Sequence, residues 1–245
     1  MNISMLGKSG SGKLGRWLAF VAIATSAALG LCAFDSRSAP AAFVVLDAAK
    51  APAQYSTASR IPPGWELKVN AGVPDITLSD QGDTPLGDAA VLRFRSSKSS
   101  FGLERPVNID PAQLPYLTWH WKVTQLPRGG DFRHGSTDDQ AAQVMVAFDD
   151  RHILTYLWDS TAPRGTMESA SSVPFVHIFA VVCRSGGADI NKWLGETRNV
   201  AADYQNAFGK PPSRIKGLRL QINSQHTGSS AESYFGEVEF RNAQS

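Results

Sequence analysis

From about residue 43 onward, apolar and polar positions alternate with the two-residue period of a half-buried strand. In "PYLTWHWKV", Leu117, Trp119, Trp121 and Val123 share one face, and Tyr116, Thr118, His120 and Lys122 the other. "AVLRFR" sets Leu92 and Phe94 against Arg93 and Arg95, and "GLRLQIN" sets Leu218, Leu220 and Ile222 against Arg219 and Gln221. "YFGEVEF" places Tyr234, Val238 and Phe240 opposite Glu237 and Glu239. "QVMVAF", "HILTYLW" and "FVHIFAVVC" are apolar on both faces, the pattern of central strands. Gly, Pro, Ser and Asp clusters such as "SDQGDTPLGD" and "LPRGGDFRHGSTDD" divide these runs. The pattern predicts a mainly β, antiparallel β-sandwich of jelly-roll type.

One helix interrupts the strands. In "TRNVAADYQNAFGKPP", Val200, Tyr204 and Phe208 fall on one stripe. Thr197 can cap its start, Gly209 can end it, and Pro211 with Pro212 forbids continuation. A single short helix laid over a sheet edge suits the sandwich.

The start of the chain has a different character. Lys8, Lys13 and Arg16 precede the apolar run from Trp17 to Phe34, and "SAPAA" at 38–42 offers an Ala-x-Ala cleavage site. This is the signal-peptide pattern, with an uncleaved N-terminal anchor as the alternative. The chain therefore divides into a leader, 1–41, and a single β-sandwich domain, 42–245. The leader changes how charge is read. The whole chain has a formal net charge of +2, but without residues 1–41 it has 20 basic residues against 21 acidic ones. The basic character belongs to the leader and argues for no nucleic-acid partner. With the leader gone, Cys183 is the one thiol left, in an apolar run that marks it as a buried structural residue.

Candidate chemistry centres on Asp138 and Asp139. Neighbours in a strand point to opposite faces, so the pair could converge on one atom only in a turn. One reading is a functional acidic pair; the other is an Asp-rich turn that launches a strand. The five histidines lack zinc-site spacing. His177 alternates with Phe175 and Phe179 and reads as a core residue, while His120 shares a solvated face. His134, in the Gly-rich loop, and His226 are the site candidates. No nucleophile elbow or phosphate loop occurs after the leader. Trp119 and Trp121 read as core, whereas Trp158 and Trp193 could line a rim and stack on a sugar ring.

Four segments carry a family resemblance. They are W-x-W-K-V at Trp119–Val123, D-D-x-A-x-x-V-x-V-x-F at Asp138–Phe148, L-x-Y-x-W at Leu154–Trp158, and "WLGETRNVAADYQNAFGKPPSRI" at Trp193–Ile215. In these, the chain resembles a bacterial exported family catalogued as domain of unknown function 3047. The resemblance implies a periplasmic or secreted envelope domain similar to carbohydrate-binding modules, and no established reaction. The family usually carries Asp-Thr-Asp-Asn-Thr after its next-to-last strand. Here that stretch reads Asn223-Ser224-Gln225-His226-Thr227, with amides replacing both carboxylates. A calcium site, which draws largely on carboxylate oxygens, loses half its charge by that change. No metal or cofactor is assigned.

The expectation is a non-catalytic module that binds a glycan or an envelope protein through Asp138, Asp139, His134, Trp158, Trp193, Asn223, Gln225 and His226. The alternatives are a glycan-acting enzyme using Asp138 or Asp139 with His134, or a periplasmic assembly partner. Membrane contact is expected only through the N-terminal segment, if it is uncleaved.

Overall fold

The structure is a computed structural model that describes residues 41–47, 61–80, 90–149, 151–170 and 175–243. The leader, 1–40, lies outside the described residues. Among the described residues no helix is long and apolar enough to cross a membrane.

Two sheets face one another across a single apolar core. Sheet A runs β11 (Leu194–Asn199), β6 (Tyr116–Gln125), β13 (Ser230–Arg241), β4 (Ala90–Ser97) and β3 (Ile76–Asp80), with β1 (Ala42–Leu46) also paired to β13. Sheet B runs β2 (Glu66–Ala71), β5 (Ser100–Ile109), β12 (Ile215–Asn223), β7 (Ala142–Phe148), β8 (His152–Asp159), β10 (His177–Ser185) and β9 (Met167–Ser169). Every pairing is antiparallel except β8 with β10, which is parallel.

Alternation decides which side chains meet in the core. Leu117, Trp119, Trp121 and Val123 of β6 are fully buried and face Leu154, Tyr156 and Trp158 of β8. The layers touch through aromatic pairs: Trp119 with Tyr156 at 5.2 Å and Trp121 with Trp158 at 5.8 Å between ring centroids. Offset and edge-on ring contacts of this kind add to burial itself. Cys183 sits in this core as expected, and burial pushes its thiol up to about 12.

Two expectations about which side chains are buried fail. On β13, Phe235 faces the core while Tyr234 faces outward, its hydroxyl donating to Glu232 at 2.5 Å. A register shift between Phe235 and Val238 inserts an extra residue and re-phases the strand. The expected grouping of Tyr234 with Val238 and Phe240 fails for that reason. His177 lies on the expected face of β10 but at its first residue, where the core has run out. It is exposed and stacks on His152 at 5.0 Å instead of being buried.

The helix, α1 (Val200–Phe208), starts two residues later than the Thr197 cap implied. Thr197 pairs within β11, and Asn199 caps instead, its Oδ1 accepting the Ala202 N–H at 2.9 Å. Gly209 ends the helix at φ 70°, a left-handed conformation that costs glycine little. Buried Asp203 locks α1 to both layers. It accepts from Tyr156 Oη at 2.9 Å and from Arg198 Nε and Nη2 at 2.9 and 2.6 Å.

Candidate functional site

The loop from β6 to β7 folds back over the outer face of sheet B. Short polar residues close it on itself: the Asp131 N–H donates to the Thr137 carbonyl at 2.7 Å, and Thr137 N–H to that of His134 at 2.9 Å. Arg133 donates to the Asp131 carboxylate at 2.8 and 2.7 Å and holds it well below the usual carboxylate range. Gly130 lies so close to Asp139 that a Cβ there would sit 2.2 Å from the Asp139 carbonyl oxygen, so only glycine fits. Buried Asp159, at the end of β8, accepts from the backbone N–H groups of Phe132, Thr161 and Ala162 at 2.8–3.0 Å. Phe132 is thereby pressed onto Leu157, Ala180 and Val182, a small apolar cluster outside the main core.

Asp138 and Asp139 lie where this loop enters β7, beside the turn that follows β12. The Asp139 carboxylate is fully buried and accepts the backbone N–H groups of His226 and Thr227 at 3.2 and 2.6 Å. The Asp138 side chain turns the other way, and its Oδ1 accepts from Gln140 Nε2 at 3.0 Å. Burial outweighs that hydrogen bond and raises the Asp138 carboxyl above its ordinary value. Asn223 ties the two segments together. Its Nδ2 donates to the Asp138 carbonyl at 2.6 Å, and its Oδ1 accepts from Gln140 N and Gln143 Nε2 at 2.8 and 2.7 Å.

A ladder of amides leads away from Asp138 across the sheet. Gln143 Nε2 donates to Gln140 Oε1 at 3.0 Å, Gln221 Nε2 to Gln143 Oε1 at 3.4 Å, and Asn70 Nδ2 to Gln221 Oε1 at 3.4 Å. Arg219 Nη2 then donates to Asn70 Oδ1 at 3.3 Å. Every link points the same way, from a guanidinium at one end to a carboxylate at the other. An ionised carboxylate only accepts and a guanidinium only donates, so the two ends fix the orientation of each amide between them. Pairing brings these residues side by side: Gln221 lies opposite Gln143, and Met145 opposite both Arg219 and Thr155.

At the Asp138 end the ladder borders a cavity of about 110 Å3. Asp138, Gln140, Gln143, Gln221, Asn223 and Thr155 form its polar wall, and Phe132, Met145, Leu157, Ala170 and Ile178 its apolar one. A buried water needs roughly 10–15 Å3 on this measure, so the space takes several waters or one ring-sized group. The Thr155 hydroxyl is buried there without a protein partner, on a residue only 4% exposed. Asp138 is the one charged residue among the described residues that line the cavity.

The sequence-predicted residues separate into three groups. Asp138, Asp139, Asn223 and His226 come together, with His226 Nδ1 3.0 Å from the Asp138 carbonyl oxygen, and Gln225 Nε2 is 3.4 Å from the same ring nitrogen. His134 is exposed at the loop tip, and only its backbone joins the loop's hydrogen bonds. The tryptophans lie elsewhere. Trp158 is fully buried between the sheets, its Nε1 donating to the Gly186 carbonyl at 3.3 Å, because the even-numbered residues of β8 face inward. Trp193 packs against Tyr234 and Lys122 on the outer face of sheet A. Among the described residues no three His, Cys, Asp or Glu side chains gather as metal ligands.

Sequence reasoning missed Thr155, Gln140, Gln143, Gln221, Asn70 and Arg219. A signal was present at Gln143 and Gln221, amides at facing outward positions of β7 and β12.

The model of a family described as "Protein of unknown function (DUF3047)" matches residues 80–239. No curated protein matches the chain. Among solved structures it is similar to the xyloglucanase domain of NopAA, a type three effector from Sinorhizobium fredii, in complex with cellobiose. The two are 9% identical, with 73% of this chain and 93% of that one covered, at a TM-score of 0.47. TmCBM61 in complex with β-1,4-galactotriose is similar at 9% identity, over 73% and 89% of the two chains, with a TM-score of 0.39. So is the family 11 carbohydrate-binding module of cellulosomal cellulase Lic26A-Cel5E of Clostridium thermocellum, at 8% identity, over 74% and 88%, with a TM-score of 0.38.

Proposed function

The chain belongs to the family of proteins of unknown function DUF3047, and we propose that it is an exported binding module that holds a sugar residue of an envelope or extracellular glycan. The observation that carries this reading is the cavity on the outer face of sheet B. One wall is apolar, with Met145, Leu157 and Ile178; the other is amide, hydroxyl and carboxylate. A pyranose has the same division, with C–H faces on the ring and hydroxyls at its edge. An amide oxygen that takes one hydrogen bond in the ladder keeps a second lone pair that can accept from a sugar hydroxyl. The unpartnered Thr155 hydroxyl supplies the hydrogen-bonding capacity that a buried polar group ordinarily satisfies.

The test is binding of the purified protein to a panel of oligosaccharides and insoluble polysaccharides, measured by calorimetry and pull-down. Binding to at least one glycan, weakened several-fold or more by Thr155→Val, is the expected result. A folded protein that binds none, or binds equally well with Thr155→Val and Gln143→Leu, overturns the reading.

Export to the periplasm or beyond is part of the proposal. Strand β1 begins at Ala42, directly after Ala39-Pro40-Ala41, and is paired with β13 through Ala42 opposite Arg241. Cleavage after Ala41 would leave that strand whole, whereas a cut several residues later would remove it. N-terminal sequencing of protein recovered from the periplasm should begin at Ala42.

A further inference from the structure

The charge arrangement around the cavity says more about what enters it. Asp138 holds its carboxylate where burial opposes ionisation, and Gln140 Nε2 occupies one of its oxygens. Among the described residues the second oxygen has no hydrogen-bond partner, and none of those that line the cavity is cationic. The ladder favours the charged form, because aligned donors starting at Arg219 end on this carboxylate and polarise one another. The amides are largely committed to the ladder: Gln143 Nε2 donates both its hydrogens, to Gln140 and to Asn223. What the cavity still offers a ligand is chiefly a negative oxygen; the hydroxyl of Thr155, a residue of the same wall, is itself buried and has no protein partner.

A neutral hydroxyl can bond to that carboxylate, but on entering it displaces the water that solvates the charge and leaves the charge uncompensated. An ammonium group compensates it and brings three donors. Buried carboxylates are stable when paired with a cation and costly when left alone. From this geometry we infer that the cavity selects a primary ammonium carried on a sugar ring, as in a glucosamine residue, with Asp138 as the specificity-determining group. The inference rests on the glycan-binding reading above and narrows it to an amino sugar.

The test compares four probes against the purified full chain by calorimetry at neutral pH: a glucosamine oligosaccharide, its N-acetylated counterpart, a neutral gluco-oligosaccharide of the same length, and spermidine. The glucosamine oligomer should bind at least ten-fold more tightly than the others, and its affinity, unlike that of the two uncharged oligomers, should fall with added salt. Asp138→Asn, which keeps an acceptor for Gln140, should reduce its affinity ten-fold or more and level the preference. Thr155→Val should weaken it a few-fold and keep the preference. Equal binding of neutral and cationic oligomers by the wild-type chain overturns the inference and leaves glycan binding standing. Spermidine binding as tightly as the oligomer moves the ammonium off the sugar and also overturns it. Binding of no oligosaccharide removes both readings. The wild-type comparison and its salt dependence decide the matter even if a variant fails to fold.

Discussion

Asp138 and Asp139 are adjacent in the chain, yet their carboxylates serve different segments of the fold. Asp139, fully buried, closes the turn after β12 by accepting the N–H groups of His226 and Thr227, while Asp138 faces the cavity and ends the amide ladder. The Asp139 carboxylate braces a turn, but the one after β12 and not the one expected to launch β7, while Asp138 faces the candidate site. A glycosidase pair needs two carboxyls about 5–9.5 Å apart facing one bond, and these two face apart.

The division predicts unequal mutants. Asp139→Ala strands two backbone N–H groups and should cost about 2–6 kcal/mol, given roughly 1–3 kcal/mol for each unsatisfied group. For a domain of this size that is a fall of about 4–24 °C in melting temperature. Asp138→Asn should leave the melting temperature nearly unchanged or higher. A scan of both proteins in one buffer checks this; equal losses would show that the two carboxylates share one structural role.

Asp138 also predicts a pH dependence. Burial raises its carboxyl in the folded state, so the folded chain holds the proton more tightly than the unfolded one. This contribution to stability is complete below the ordinary carboxylate value and is lost as pH rises through the raised folded value. Asp138→Asn does not titrate, so its melting temperature should exceed that of the wild type at neutral pH and converge with it in acid. A difference that stays constant with pH would overturn the assignment. Retaining a charge that weakens the fold is the usual signature of a residue kept for binding.

The opposite sign belongs to Asp131. Arg133 lowers its carboxyl in the fold, so its stabilisation is present above the ordinary value, near 3.8, and is lost as pH falls from there towards the lower folded value. Asp131→Asn should melt below the wild type at neutral pH, with the gap closing in strong acid. Proteolysis at the loop around Phe132 should quicken in parallel, because Asp131 also ties that loop to Thr161 at 2.9 Å.

The strands that were legible in the sequence are those buried on one face along their whole length. β6 alternates cleanly, as does β12 from Leu218 onward, and their inward residues are all buried. β11 was illegible because "LGETRN" is a polar edge strand whose pattern follows specific partners: Glu196 Oε1 accepts from Trp121 Nε1 at 3.3 Å and from Arg184 Nε at 2.5 Å. The phase of β13 was hidden by its bulge. For the site, the family motif drew attention to Asp138, Asp139 and residues 223–227, which converge although more than 80 positions separate them. Trp158 misled because β8 is apolar on both faces, so nothing in its pattern says which face is the core.

Trp158 now carries a prediction of its own. It fills space between the sheets against Trp121 and does not line the cavity. Trp158→Ala should cost about 3–5 kcal/mol through the void it leaves. Trp158→Phe, which keeps a ring in place, should bind glycan as the wild type does while melting lower. A variant that melts normally but loses ligand would return Trp158 to the site.

The ladder makes the most specific demand. Gln143 is its middle rung, and leucine there would fill similar volume without donating or accepting. Gln143→Leu removes a donor from Gln140 and Asn223 and an acceptor from Gln221, leaving three buried amides each short of one bond. The stability loss should be about 1–3 kcal/mol, because buried polar groups left unpaired cost more than the bonds themselves contribute. The larger effect should be on Asp138, which loses the aligned donors behind Gln140. Its carboxyl should rise further in Gln143→Leu, moving the acid limb of any ligand-binding profile to higher pH. Asn70→Ala, which cuts the chain two links farther away, should move the same limb by less. Carbon-13 NMR of the labelled carboxyl reads both shifts directly. A carboxyl that titrates identically in wild type, Gln143→Leu and Asn70→Ala would show that the amides are local braces and that charge at Asp138 is set by burial alone.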